Sequence, residues 1–362
     1  MRRRRVALAA LLLTLLAGSA AYVGYGLRAY ARYGNLYADY TTACDTLIAW
    51  NPPQVIYSGF YPNMPALVSI RYRSQSPEAT SLTVSIPGFT QSQTVNANTA
   101  QGFRTATFKP PLLSSTTLDS LVGTPLRAAQ IEVTLAAGAR TLCATSAPVQ
   151  LYSRQWIQWR NPVTGADNTP LIAGWVTPDD PSIVALVGRA RRRLSVHSES
   201  YDNLPALFGY QQGATPEQVR NQVNALFDTL QFDYHLRYAV DNAPFTTRAA
   251  QQAQLPRDVL ASSAPTGMCV ETTVILASAV ERLGMRPYIV FTATHAYLGV
   301  AMSDEPHAQI EYWETSDLNG GVTGAQANTH GDAEYAQDSA SRLITRMVDI
   351  QYERAHGVVP ME

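Results

Sequence analysis

Apolar and polar residues alternate in four short runs of the first half of the chain: ALVSIRYRS (66–74), SLTVSIPGF (81–89), FRTATFKP (103–110) and AQIEVTL (129–135). A period of two puts alternate side chains on one face of a strand. The Pro, Gly, Ser and Asn clusters between the runs are turn material. Strands at this spacing predict a β-sandwich over residues 51–154, immunoglobulin-like in architecture. No motif in it carries chemistry, so spacing or binding is its expected role. From about residue 155 the period lengthens. TPDDPSIVALVGRARRRL (177–194) predicts a helix with Ile183, Val184 and Val187 on one face, Asp180 as N-cap and Pro181 at the first helical position. TPEQVRNQVNALFDTLQ (215–231) opens on a Thr-x-x-Gln capping box. A third helix is expected from Met268 to Leu283, ended by Gly284 and followed by Pro287. YIVFT (288–292), HAYLGVAM (295–302) and QIEYWET (309–315) read as strands, the last two joined by the turn SDEPH, and a mixed helix is expected around residues 339–357. Helices followed by antiparallel strands give residues 155–362 an α+β fold.

The N-terminus follows a different rule. Four arginines precede residues 6–27, VALAALLLTLLAGSAAYVGYGL, which carry no charge. At ~1.5 Å per residue this stretch reaches across a hydrocarbon core of roughly 30 Å. An N-terminal transmembrane helix is therefore expected, with the arginines cytoplasmic and the bulk of the chain, after a tether over residues 28–50, on the far side of the membrane. A cleaved signal peptide over residues 1–27 is the other reading, because LLAGSAA offers small residues at a cleavage site. Either way the protein works outside the cytoplasm: anchored to the inner or cytoplasmic membrane, or secreted.

Composition narrows the classes further. The chain of 362 residues is 46% hydrophobic and 15% charged, enough to bury cores in about two domains. Its net charge of -1 gives no global electrostatic case for a nucleic-acid partner. Cys44 and Cys143 bracket the β-region and Cys269 stands apart. Outside the cytoplasm a Cys44–Cys143 disulfide is permitted, and two unpaired buried thiols are the alternative. The spacing of His197, His235, His307, His330 and His356 suits no metal, and neither a metal nor a cofactor is expected.

Cys269 is the leftover thiol, at the start of the third helix. Unpaired N–H groups and the helix dipole favour an anion there, and backbone donors are available to an oxyanion. Gly267 lets the backbone turn closely before it. A small core residue is the competing reading, since cysteine is often simply buried. A base is needed, and His295 opens the strand HAYLGVAM; the next strand supplies Glu314 and Asp317 as acids. If Met302 pairs with Ala308, His295 lies opposite Thr315 with Asp317 diagonal on the same face. A shift of one residue sets Glu314 opposite His295. Both acids stay open on register alone. Trp313 and Tyr297 read as core or cleft wall.

Cysteine at a helix start, histidine opening a strand and an acid on the next strand is an order that resembles transglutaminase-like domains, which share papain's Cys-His-Asp logic. GMCVETTVILASAVERLGMRPYIV (267–290) is similar to the Cys-bearing helix of bacterial transglutaminase-like proteins, and THAYLGV (294–300) to their Gly-His-Ala-aromatic strand, with Thr294 where Gly is common. IEYWETS (310–316) resembles the strand ending in Glu-Thr-Thr, which favours Glu314 over Asp317. QQAQLPRDVL (251–260) and MVDIQYERAHGVVP (347–360) extend the likeness over roughly residues 155–360. The resemblance implies a papain-like domain with a Cys269–His295–Glu314 triad for peptide or isopeptide hydrolysis or transamidation. Its partner would be a protein or peptide substrate, the cell envelope included. Gln251 is a candidate oxyanion donor, or else part of a polar loop. A transglutaminase-like surface module that binds a protein or wall polymer without turnover is the alternative.

Overall fold

The computed structural model describes residues 41–44, 47–73, 79–97, 104–124, 126–211, 213–240 and 250–361. The chain divides into a first unit up to Arg154 and a second running from Gln155 to Ala355, with short pieces of the C-terminus assigned to each. The strands of the first unit are β1 (Thr41–Ala43), β2 (Ile48–Trp50), β3 (Val55–Tyr57), β4 (Val68–Tyr72), β5 (Thr80–Ser85), β6 (Gln93–Ala97), β7 (Arg104–Phe108), β8 (Leu126–Ala137) and β9 (Arg140–Tyr152). They form one sheet of order β1-β2-β4-β7 and another of order β3-β9-β8-β5-β6, antiparallel except for β3 beside β9. The period of two sets the core: Leu82 and Val84 of β5 and Ile131, Val133 and Leu135 of β8 are buried, while their neighbours are less so.

Two features depart from the sequence reading. β1 and β2 pair within the expected tether, Thr41 opposite Trp50. β9 contains Pro148 and small residues, so the alternation that buries Cys143, Val149 and Leu151 is weak in the sequence; pairing with β8 along its length holds it as a strand. Cys44, at φ 50°, bonds to Cys143 of β9, with Cα atoms 5.7 Å apart, and so joins the two sheets. Among the described residues no helix is long and apolar enough to cross a membrane; the span expected to do so, residues 6–27, lies outside them.

The second unit contains β10 (Trp156–Gln158), β11 (Arg237–Tyr238), β12 (Ala250–Gln252), β13 (Thr266–Gly267), β14 (Pro287–Phe291), β15 (Ala296–Ala301), β16 (Ile310–Trp313) and β17 (Arg346–Asp349). Its helices are α1 (Pro181–Val196), α2 (Pro216–Asp228), α3 (Pro256–Leu260), α4 (Cys269–Arg282), α5 (Gly324–Ala340) and α6 (Ile350–Ala355). The caps follow local chemistry. Asp180 accepts the Ser182 N–H at 2.9 Å, and Thr215 and Gln218 exchange bonds at the start of α2. Ile183 and Val187 face inward as expected, but Val184 is exposed; Leu186, Ala190 and Leu194 complete the buried stripe. α4 is buried on every side from Cys269 to Val280, the pattern of a core helix.

The principal sheet, of order β16-β15-β14-β17, is wholly antiparallel and carries α4 against β14 and β15. The chain is thus α+β. The helix expected around residues 339–357 is corrected: the segment holds the end of α5, then a turn, then β17 paired with β14, then the short α6. α5, which immediately precedes it, escapes a periodicity reading because its inward residues are small. Ala327 and Gly331 let it lie on β16 so closely that a Cβ on Gly331 would come within 2.6 Å of the Tyr312 and Trp313 backbone.

Candidate functional site

The site is assembled where α4 begins. Met268, extended at φ −74°, is the N-cap and Cys269 the first helical residue. Glu271, buried below them, accepts the Met268 N–H at 2.8 Å through Oε2 and the Gln254 N–H at 2.7 Å through Oε1. Burial pushes the Glu271 carboxyl up against these two bonds. Its role is to fix the entry into α4, half of a capping box. Gly267 passes close to the helix: a Cβ there would meet Glu271 and Thr272 at 3.3 and 3.2 Å.

Cys269 is only 2% exposed and lies close enough to the His295 ring to interact with it electrostatically. His295 sits in the residue before β15, in a tight turn: its N–H donates to Thr292 Oγ1 at 3.0 Å, and the Thr292 N–H donates to the His295 carbonyl at 2.9 Å. His295 Nε2 lies 2.8 and 3.0 Å from the two Glu314 carboxylate oxygens. With Nε2 so engaged, Nδ1 is the ring nitrogen left for the thiol. Burial lowers the His295 pKa, but the interactions with Cys269 and Glu314 and their charges outweigh it and raise the value to about 10. Burial raises Glu314, yet His295 and the Ser316 N–H at 2.7 Å hold it below the ordinary carboxylate range.

The register that brings these groups together is neither of the two considered from sequence. Leu298 pairs with Trp313 and Ala301 with Ile310, and the Met302 N–H donates to the Gln309 carbonyl. Continued past the strand end, this sets Glu314 opposite Tyr297 and diagonal to His295 on the same face, with Asp317 on the other. Asp317 instead binds His330 Nδ1 at 2.7 Å near the surface, away from His295. Cys269, His295 and Glu314 are therefore together and Asp317 is apart.

Gln251 is buried in β12, not in a polar loop. Its Oε1 accepts the Trp159 indole N–H at 3.3 Å, which turns its NH2 group toward Met268 Sδ, 3.8 Å away. A cleft of about 630 Å³ opens beside this amide and the start of α4, lined by Trp156, Gln251, Gln254, Gly267, Met268 and Glu271. Trp313 and Tyr297 are fully buried core residues.

A layer of hydroxyls that single-residue reading passes over ties the pieces together. Thr273 Oγ1 donates to the Ala296 carbonyl at 3.3 Å, and Thr272 and Thr273 both reach Thr315 Oγ1, at 3.1 and 2.9 Å. These bonds lock the first turn of α4 to β15 and to the turn that carries Glu314. The adjacent Thr-Thr pair one turn into a Cys-bearing helix is the only sequence signal of this. Among the described residues no group of three or more His, Cys, Asp or Glu is placed to hold a metal ion. Compared with known proteins, the chain matches no family model and no curated protein sequence.

Proposed function

We propose that the second unit is a transglutaminase-like domain that carries out thiol acyl transfer on a protein or peptide substrate. The observation that supports it is the His295–Glu314 pair, bonded at 2.8 Å, beside Cys269 at the first residue of a buried helix. In this reading Cys269 Sγ, as thiolate, attacks the carbonyl carbon. The electron pair moves to the carbonyl oxygen, which the first-turn N–H groups of α4 and the Gln251 NH2 receive. His295 carries the proton, gives it to the departing amine as the thioester forms, and takes it back from the next nucleophile. Glu314 holds the ring in one orientation and stabilises its cation. Water as that nucleophile gives hydrolysis; an amine gives transamidation. The Cys44–Cys143 bridge suits an oxidising compartment, so we place the protein outside the cytoplasm, tethered through residues 6–27 with the first unit as an immunoglobulin-like spacer.

One observation favours a second reading. Cys269 is nearly closed to solvent, as a surface module that binds a protein or wall polymer without turnover would permit. Alkylation separates the two. The acyl-transfer reading expects Cys269 to react with iodoacetamide near neutral pH much faster than an unperturbed thiol. Reaction no faster than a free thiol supports the binding module.

A further inference from the structure

A second cleft lies beside the turn that carries His295, lined in part by Thr292. Its floor is Trp159 and Phe291, whose rings meet edge to face with centroids 5.5 Å apart. One wall is Thr292, the residue whose hydroxyl holds the His295 N–H. Arg160, Arg346 and Asp167 form the rim. The volume of about 260 Å³ is below that of a cleft for a drug-sized ligand and suits one side chain of a longer molecule.

The rim charges do not cancel. Asp167 Oδ1 is occupied by the Thr169 N–H at 2.9 Å and the Thr169 hydroxyl at 2.6 Å. Its Oδ2 stands 3.5 Å from Arg346, a loose pair that leaves the guanidinium with donors to spare. Arg160 has no ion-pair partner among the described residues, so two cations face one half-committed anion. An apolar floor below spare guanidinium donors recognises a carboxylate on a carbon stem, and a guanidinium can take both oxygens at once. The floor is also tied to the reacting centre. The Trp159 indole N–H orients the Gln251 amide, and Thr292 is one turn from His295.

We propose that this cleft is the subsite for a carboxylate-bearing residue flanking the bond that Cys269 attacks, which makes the substrate an acidic peptide or one ending in a free carboxylate. The position relative to the attacked bond rests on the acyl-transfer reading; binding of the carboxylate does not.

The test uses the full chain carrying Cys269→Ala and three matched peptides, titrated by calorimetry at low salt: one with an internal Glu and blocked ends, its Gln isostere, and the Gln peptide with a free C-terminal carboxylate. At least one carboxylate peptide should bind about ten-fold tighter than the blocked Gln peptide. Which one does so identifies a side chain or a chain terminus as the source. Arg160→Gln with Arg346→Gln should bring the affinities within two-fold of one another. Asp167→Asn, which removes the competing anion and leaves the arginines intact, should increase the preference. Equal affinity for all three peptides, or a preference that survives loss of both arginines, overturns the proposal. Alkylation of the unsubstituted chain is read separately. Fast alkylation with no carboxylate preference removes the subsite and leaves acyl transfer standing; slow alkylation with the preference intact keeps the carboxylate site on a binding module.

Discussion

The proton on His295 decides how the site works. Raised to about 10, the imidazole stays cationic through neutral pH, so the sulfur beside it faces a positive charge that Glu314 holds in place. Glu314→Gln keeps the shape and removes that support. It is expected to slow Cys269 alkylation at neutral pH by about 10–30-fold, the span between a fully formed thiolate and an ordinary thiol that is a few per cent ionised at pH 7, and to move its alkaline limb to lower pH. Asp317→Asn touches only the His330 contact and should leave the rate within two-fold. A reversed result, with only Asp317→Asn slowing the reaction, assigns the acid to Asp317. The same pair sets a stability profile. His295 is raised from 6.5, so its contribution is complete below pH 6.5 and is lost as pH rises through about 10. Glu314 is lowered from 4.5, so the contribution is present above pH 4.5 and is lost as pH falls through its depressed value. The melting temperature of wild type minus that of Glu314→Gln should therefore be largest between these values and shrink toward pH 10. A difference independent of pH contradicts the ion pair. Cys269 and His295 are readable from sequence because each stands at the boundary of an element, where a cap or a turn shows as a change of period. The acid is not. Its face depends on how many residues the 302–309 turn consumes, and a one-residue change moves Glu314 and Asp317 to opposite sides.

At the scale of elements, large apolar side chains leave a readable period and small ones do not. α1 and α2 announce themselves through caps and apolar stripes. α5 is as long as α1 yet presents Ala and Gly to β16, because its task is close approach and not burial of bulk. β17 is short and its strand state comes from pairing with β14, a contact distant in sequence that local preference cannot encode. The close approach of α5 carries the site indirectly: the Glu314 N–H donates to the Ala327 carbonyl at 3.0 Å. Gly331→Ala places a methyl group 2.6 Å from the backbone of Tyr312 and Trp313, which has no flexible end to yield. The substitution is expected to cost about 1–3 kcal/mol and to slow Cys269 alkylation as the Glu314 turn shifts. Unchanged denaturant midpoint and unchanged alkylation together would show that α5 does not position the acid.

For the molecule as a whole, the two units answer to different constraints. The first is cross-linked over a separation of 99 residues, and Cys44→Ser with Cys143→Ser should lower its stability by about 4–5 kcal/mol in the chain-entropy model. A midpoint unaffected by the double change would make the bridge incidental. The orientation outside the cytoplasm is checked with intact spheroplasts: added protease should digest the body of the protein, and full protection until lysis refutes it. The second unit holds the proposed chemistry, and its claim is that Cys269, His295 and Glu314 act together and not as three buried polar groups. The rate of Cys269 alkylation at neutral pH, in the unsubstituted chain and in His295→Ala, tests this most directly. The account predicts a rate well above that of an unperturbed thiol, collapsing when the imidazole is removed. A rate equal to that of a free thiol, or one that His295→Ala leaves unchanged, contradicts it.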